Sequence, residues 1–316
     1  MRILVTGSSG CVGRVVVTRL AQAGHEVVGT DIVASQRPPS GQAAFVLADL
    51  ADAGDAYAVI YGFDAVVHTA AIPLAGAHPA HTVFRTNMMA TYNCVEAALR
   101  AGVTRFVNFS SEAAAGHFFA ARTFLPQYLP VDEDHPLLPE DPYAFAKVFG
   151  EQMMDAAVRR SSMRVISIRS SSVMWERNAE EYFGPQVRDP AAHTTPNVHS
   201  YIDVYDLADA VVGAVASDLP GHEVVYIASP DNVGSFDFAA LVRDVYRWSV
   251  PLRELARPDA SGVSSAKAVR LLGWTPTRSW RDWLDGQGRA LPDVRRRRDA
   301  GLSLYDQLYL EASETP

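Results

Sequence analysis

Short runs of β-branched and other apolar residues alternate with longer stretches at helical spacing through the first half of the chain. That alternation is the signature of stacked βαβ units and a parallel sheet. Strands are predicted at Arg2–Thr6, Glu26–Asp31, Ala44–Leu47, Ala65–Thr69, Arg105–Phe109, Arg164–Arg169 and Glu223–Ile227. Helices are predicted at Gly13–Ala23, closed by Gly24; at Thr82–Ala101, closed by Gly102; and at Pro142–Arg160, opened by its proline. The pattern then loosens. Residues 170–200 and 231–285 are loop-rich and carry several Pro, Trp and His. They are expected to form a smaller lobe beside a larger domain built from 1–169 and 201–230. Residues 286–316 read as a C-terminal tail, with one helix at Leu304–Ala312.

Composition narrows the class without naming it. The 316 residues are 48% hydrophobic and 20% charged, the balance of a globular protein with a sizeable core. A formal charge of −8 argues against a nucleic-acid partner, which needs a clustered basic surface. The one basic block, Arg295–Arg298, reads as a solvated tail. Cys11 and Cys94 are the only cysteines, which is no disulfide framework, so a reducing cytoplasm is expected. No apolar run approaches the roughly 20 residues of a membrane span, and neither cysteine has metal-ligand spacing, so no metal is expected.

Directly after the first strand comes Gly7-Ser-Ser-Gly10-Cys11-Val12-Gly13, which opens a helix. Glycines there permit a tight turn and let backbone N–H groups approach a pyrophosphate at the helix's positive end. The second strand ends at Asp31, eighteen residues past Gly13. An acid in that place accepts ribose hydroxyls and repels a 2′-phosphate, so NAD is favoured; Arg14 and Arg37 keep NADP open. Asp49 and Leu50 are expected near the adenine, and Ala70 and Ala71 are small where the chain passes the cofactor.

Tyr143-Ala-Phe-Ala-Lys147 begins the last long helix, and a spacing of four puts both side chains on one face. A cation there favours the phenolate and draws the phenol's pKa down toward working pH, preparing it to exchange a hydroxyl proton. Lys147 and Lys267 are the only lysines of the chain, every other basic position being Arg. A compact ammonium suits this task where a planar guanidinium does not.

The glycine turn, the Tyr143/Lys147 pair and a serine after the fifth strand resemble the extended short-chain dehydrogenase/reductase family of epimerase/dehydratase type, from Met1 to about residue 284. The resemblance implies a Rossmann-like doubly wound α/β sheet with a smaller C-terminal substrate-binding lobe, and an NAD-dependent enzyme acting on a sugar-like hydroxyl or carbonyl. Ser111 matches the family's catalytic Ser or Thr, with Ser110 as the fallback, and Asn87 matches an Asn supporting the cofactor region. Gly150-Glu151 and the run Leu272-Gly273-Trp274-Thr275-Pro276 also fit. The long helices Thr82–Ala101 and Pro142–Arg160 imply a homodimer.

Departures from the pattern bear on substrate. Ser172 stands where the family usually has an Asn meeting the sugar nucleotide. His199 replaces an Arg that clamps a diphosphate, and a neutral imidazole is the poorer partner. Arg257 is a second candidate for such a contact. Glu112 sits beside Ser111, where dehydratases carry two acids in a row, but Ala113 follows it here. The segment between Ser111 and Tyr143 is long enough for a lid. The leading expectation is a nucleotide-sugar epimerase-like enzyme. A net dehydrogenase or reductase of a free sugar, uronic acid or secondary metabolite stands next, and a non-catalytic dinucleotide sensor last.

Overall fold

The structure, a computed structural model, describes residues 1–302, so the helix expected over Leu304–Ala312 lies outside the described residues. The elements in chain order are β1 (Arg2–Thr6), α1 (Cys11–Gln22), β2 (Glu26–Asp31), β3 (Gln42–Leu47), α2 (Ala53–Ile60), β4 (Ala65–His68), α3 (Ala80–Ala101), β5 (Arg105–Ser111), α4 (Pro142–Arg160) and β6 (Arg164–Ser170). There follow β7 (Val173–Met174), α5 (Gly184–Arg188), β8 (Ile202–Asp203), α6 (Val204–Ala216), β9 (His222–Ile227), α7 (Phe238–Ala240), α8 (Ala266–Leu272) and α9 (Pro292–Ala300).

Seven strands form one sheet in the order β3-β2-β1-β4-β5-β6-β9. β1 pairs in parallel with β2 and with β4, and β4 in parallel with β5. The chain therefore winds outward from β1 in one direction, then returns to β4 and winds in the other. The carboxyl ends of β1 and β4 diverge at that reversal, which is where open α/β sheets bind ligands. β1 and β4 sit mid-sheet with both faces covered. They read as unbroken apolar runs for that reason: Ile3, Leu4, Val5, Val66 and Val67 are all fully buried.

The chain divides into two compact units. The first is Met1–Ala121, Leu137–Arg169 and Ala208–Val225, and the second is Arg122–Pro136, Ser170–Leu207 and Tyr226 onward. In the first unit, α1 starts at Cys11 rather than Gly13, and α3 starts at Ala80 behind Pro79 rather than at Thr82. Asn87 is thus seven residues into α3. Helix α2 was not anticipated; Asp52 starts it by accepting the Asp55 N–H at 3.1 Å.

The second unit is organised by buried polar ties. Asp206, in the first turn of α6, accepts the backbone N–H of Thr277 (2.9 Å) and of Arg278 (2.8 Å) and the Thr277 hydroxyl. The Trp274 indole donates to the Asp206 carbonyl. Asp203 accepts from the Tyr205 and Asp206 backbones and from the Trp283 indole, whose ring stacks on Tyr205 at 5.8 Å. Residues 122–136, within the segment expected as a lid, are laced into this unit instead. Leu129 N–H donates to the Pro251 carbonyl and Val131 N–H to that of Gly262. The Arg295–Arg298 block is likewise no solvated tail. It lies in α9, where Arg297 is buried against Glu176 at 3.2 Å and Arg298 reaches Glu180 at 3.0 Å.

Asp206→Ala removes the acceptor of two part-buried N–H groups, each worth at most about 1–3 kcal/mol. Urea unfolding is expected to show a loss of roughly 2–4 kcal/mol on that scale. A loss within measurement error would show that these ties do not hold the unit.

Candidate active site

The glycine turn is built by exclusion. Gly7 takes a left-handed φ of +68°, and a Cβ there would lie 2.8 Å from the Ala70 backbone at the end of β4. A Cβ on Gly13 would come within 2.1 Å of the Gly7 carbonyl oxygen. The turn is closed by the Gly10 N–H donating to that same carbonyl at 3.0 Å. It delivers the chain into a twelve-residue helix with no acid in its first turn, so the positive end of α1 is left uncompensated. Cys11 and Val12, partly exposed, begin that helix.

Asp31, at the carboxyl end of β2, turns back to the turn: one oxygen accepts the Ser9 N–H at 3.0 Å and the other the Ile32 N–H at 2.7 Å. Asp49 is exposed and accepts the Ala51 N–H, whereas Leu50 is buried in the core beneath it. Ala70 and Ala71 are partly buried, and the Ala70 N–H donates to the Thr6 hydroxyl at 3.2 Å. Asn87 is buried and grips Ile72 from both ends, its carbonyl accepting the Ile72 N–H and its amide donating to the Ile72 carbonyl. It secures the loop after β4.

A second cluster forms where β5 ends. The Ser111 hydroxyl accepts the Ala113 N–H at 3.1 Å, capping the short turn Glu112–Ala115. Gly116 closes that turn, where a Cβ would strike the Leu138 carbonyl. Asp141 caps α4 by accepting the N–H groups of Tyr143 and Ala144, both at 2.9 Å. Those caps aim Tyr143 into an apolar cluster with Val83, Ala113 and Ala144, with Phe118 packed beside it. One turn on, Lys147 donates from Nζ to the Phe109 carbonyl at 2.6 Å, 5.4 Å from the Tyr143 ring centre.

The electrostatics correct one expectation. The phenol does not lie below its ordinary value. Burial pushes Tyr143 up to about 12; the neighbouring Ser111 hydroxyl works the other way, and the charges of Asp141 and Glu112 add to the rise. Burial also lowers Lys147, to about 8, against the upward pull of Glu151. The desolvation that isolates the pair thus outweighs the attraction within it. His68, between Thr6 and Thr91, is held neutral by burial and by the charge of Lys147, its pKa lowered to about 3.

The remaining candidates lie in the second unit. Ser172 is partly buried and its hydroxyl accepts from the Asn197 amide at 3.2 Å. Arg257 is exposed and forked onto Asp259 at 2.6 and 3.0 Å. His199 does not meet the expectation of a substrate-facing histidine. It is fully buried beside the rings of Phe236 and Tyr246, and burial lowers its pKa to about 4. Sequence reasoning gave no role to Asp141 or Arg169, and matched Glu151 only by resemblance. The available signal was a charged residue one turn after Lys147 on a face otherwise meant for burial.

A model of the NAD dependent epimerase/dehydratase family matches residues 3–228. The chain belongs to that family. A UDP-glucose 4-epimerase of Corynebacterium glutamicum is 26% identical over 307 residues, 87% of this chain and 91% of that protein. A uronate dehydrogenase of Pseudomonas putida is 24% identical over 237 residues, 75% of this chain and 79% of its own length. A solved short-chain dehydrogenase/reductase superfamily protein from Agrobacterium tumefaciens, with bound NAD, shares the fold. Its TM-score is 0.69 at 24% identity, over 95% of this chain and 99% of that one.

The residues present fit the family's cofactor. A turn that excludes side chains at positions 7 and 13, set on an uncompensated helix N-terminus, suits a pyrophosphate. Gly13→Ala forces the turn open against the Gly7 carbonyl. Calorimetry is expected to show NAD binding weakened more than tenfold, about 1.4 kcal/mol or more. Unchanged affinity would show that the turn does not hold the dinucleotide.

Proposed function

We propose that the protein carries out NAD-linked oxidation and reduction at a sugar carbon, with Tyr143 as the acid/base, and that transient oxidation serves epimerisation of a nucleotide sugar. The observation that supports this is the joint placement of Ser111, Tyr143 and Lys147 between the end of β5 and the first turns of α4. NAD, when bound, supplies the acceptor and donor of hydride. The turn Gly7–Gly13 with Cys11 and Val12 would hold its pyrophosphate, and Asp31 a ribose hydroxyl. Asp49, Leu50, Ala70, Ala71 and Asn87 would shape the walls.

The protein's own steps are protonic. The Ser111 hydroxyl, beside the phenol, orients the reacting oxygen. Tyr143 takes the hydroxyl proton as the carbonyl forms and returns it as the carbonyl is reduced. Lys147, fixed to the Phe109 carbonyl, offsets the negative charge that develops on the phenol. The apolar wall of Val83, Ala113 and Phe118 excludes water from that exchange. Glu112, Ser172 and Arg257 are assigned to the substrate side.

The burial of His199 favours a second reading. A neutral histidine enclosed by aromatic rings offers nothing to a diphosphate. On that reading the protein is a net dehydrogenase of a free sugar or uronic acid, the activity named for one of its relatives.

The assembly proposal is a homodimer through α3 and α4. Both helices leave large apolar side chains in water: Met89 and Tyr92 on one, Phe145 and Phe149 on the other, with the last two in ring contact at 5.9 Å. Cys11 and Cys94 are in no disulfide, which suits the cytoplasm.

Tyr143→Phe is expected to lower turnover by about 10²–10⁴-fold or more while NAD affinity stays nearly intact. Ordinary turnover in that variant would remove the mechanism. With wild-type protein, nucleotide sugars should interconvert with no net absorbance change at about 340 nm; stoichiometric NADH formation from a free sugar or sugar acid would select the dehydrogenase. Phe149→Asp should convert a dimer into a monomer by light scattering. A wild-type monomer would refute the assembly.

A further inference from the structure

Behind the Tyr143/Lys147 pair lies a second polar assembly that the reaction as described does not use. Glu151, one turn after Lys147 on α4, is buried. Its Oε1 accepts the Ser110 hydroxyl at 2.6 Å and the Arg169 Nε at 2.9 Å, and its Oε2 accepts Arg169 Nη2 at 2.7 Å. Both side chains of that pair are more than nine-tenths buried. Arg169 stands near the end of β6, and Ser110 is the neighbour of Ser111 at the end of β5.

Removing two charges from water is unfavourable, and an apolar pair of similar volume often holds a fold as well or better. A buried pair is therefore weak evidence for stability, and its position calls for another account. Three placements tie α4 to the end of β5: the ammonium of Lys147 on the Phe109 carbonyl and the carboxylate of Glu151 on Ser110, both hydrogen-bonded, and the phenol of Tyr143 beside Ser111. They are spaced four residues apart along one face of the helix and engage three successive residues of the strand. A slip of the helix along the strand would break all three.

We propose that Glu151 is a positioning residue for the acid/base pair: bolted to Ser110 and Arg169, it fixes α4 against the ends of β5 and β6 and supplies the negative charge that keeps the Lys147 ammonium protonated. This rests on the roles given to Tyr143 and Lys147 above. The charged and titratable groups around Lys147 support it. β4 offers His68, which is neutral; β6 offers the Arg169 cation, committed to Glu151; β5 offers the Phe109 carbonyl and Ser110; and α4 itself offers Tyr143, which is protonated, and Glu151. Among these, Glu151 is the one anion, and it acts on Lys147 against the burial that pushes the ammonium down to about 8.

The chain's two lysines make the test direct. Protein labelled with ¹³C at the lysine ε carbon gives two signals, and Lys267 serves as the internal reference. Glu151→Gln takes the anion from beside the buried Arg169 and risks unfolding, so Glu151→Gln/Arg169→Met, which removes both charges and keeps an acceptor for Ser110, is measured beside it. In the protein without cofactor, the Lys147 signal of the folded variant should titrate on the order of one pH unit lower than in wild type. With NAD and substrate, the alkaline limb of the turnover profile should move down by the same amount, while Arg169→Lys leaves both in place. A Lys147 signal that titrates in the folded double variant at the wild-type pH overturns the proposal. The reading of Tyr143 as the acid/base is tested separately: if Tyr143→Phe is inactive while the Lys147 titration is unmoved, this inference alone fails.

Discussion

The hydrogen bond from Lys147 to the Phe109 carbonyl is the constraint on which the site depends. A strand end leaves carbonyl groups without partners in the sheet, and a buried carbonyl without a partner is unfavourable by roughly 1–3 kcal/mol. Filling that place with an ammonium from the neighbouring helix satisfies the strand and fixes the height of α4. Tyr143, one turn earlier, then falls against Ser111, and Asp141 beyond it caps the helix. Each of these placements follows from the first.

Burial gives the site its character. A phenol pushed up to about 12 and an ammonium pushed down to about 8 both move toward their neutral forms, as desolvation requires. The protein thus presents Tyr143 as a protonated donor in a dry pocket. Under the proposed function, its conversion to an acceptor would draw on the Lys147 ammonium and on positive charge supplied by the bound cofactor. The glycine turn contributes the same restraint at the other end: it excludes side chains at two positions, and leaves backbone N–H groups and a helix terminus to do the binding.

Much of this was legible in the sequence. The alternation of apolar runs places the strands because the central strands are buried on both faces, and Gly7-x-x-Gly10-x-x-Gly13 stands out because its first and last positions admit no side chain. Tyr143 and Lys147 are conspicuous by helical spacing in a chain almost without lysine. The sign of the phenol's shift was not legible, because pairwise charge is visible in a sequence and desolvation is not. His199 illustrates the same gap: its polar neighbours in sequence suggested a loop, whereas Phe236 and Tyr246, some forty residues away, enclose it. Arg297 was hidden in a basic run because its partner, Glu176, is 121 positions distant. Helix α2 escaped because its apolar stripe is short, and its start depends on one aspartate.

The central claim is that Tyr143 is a buried phenol whose proton is released under the influence of a bound, oxidised pyridine ring. It is tested by ultraviolet titration of tyrosinate, taken as wild type minus Tyr143→Phe, without and with NAD. The account predicts that without cofactor this phenol stays protonated until the pH nears about 12, and that NAD brings the transition down. Ionisation at the ordinary tyrosine pH, unmoved by NAD, would contradict it.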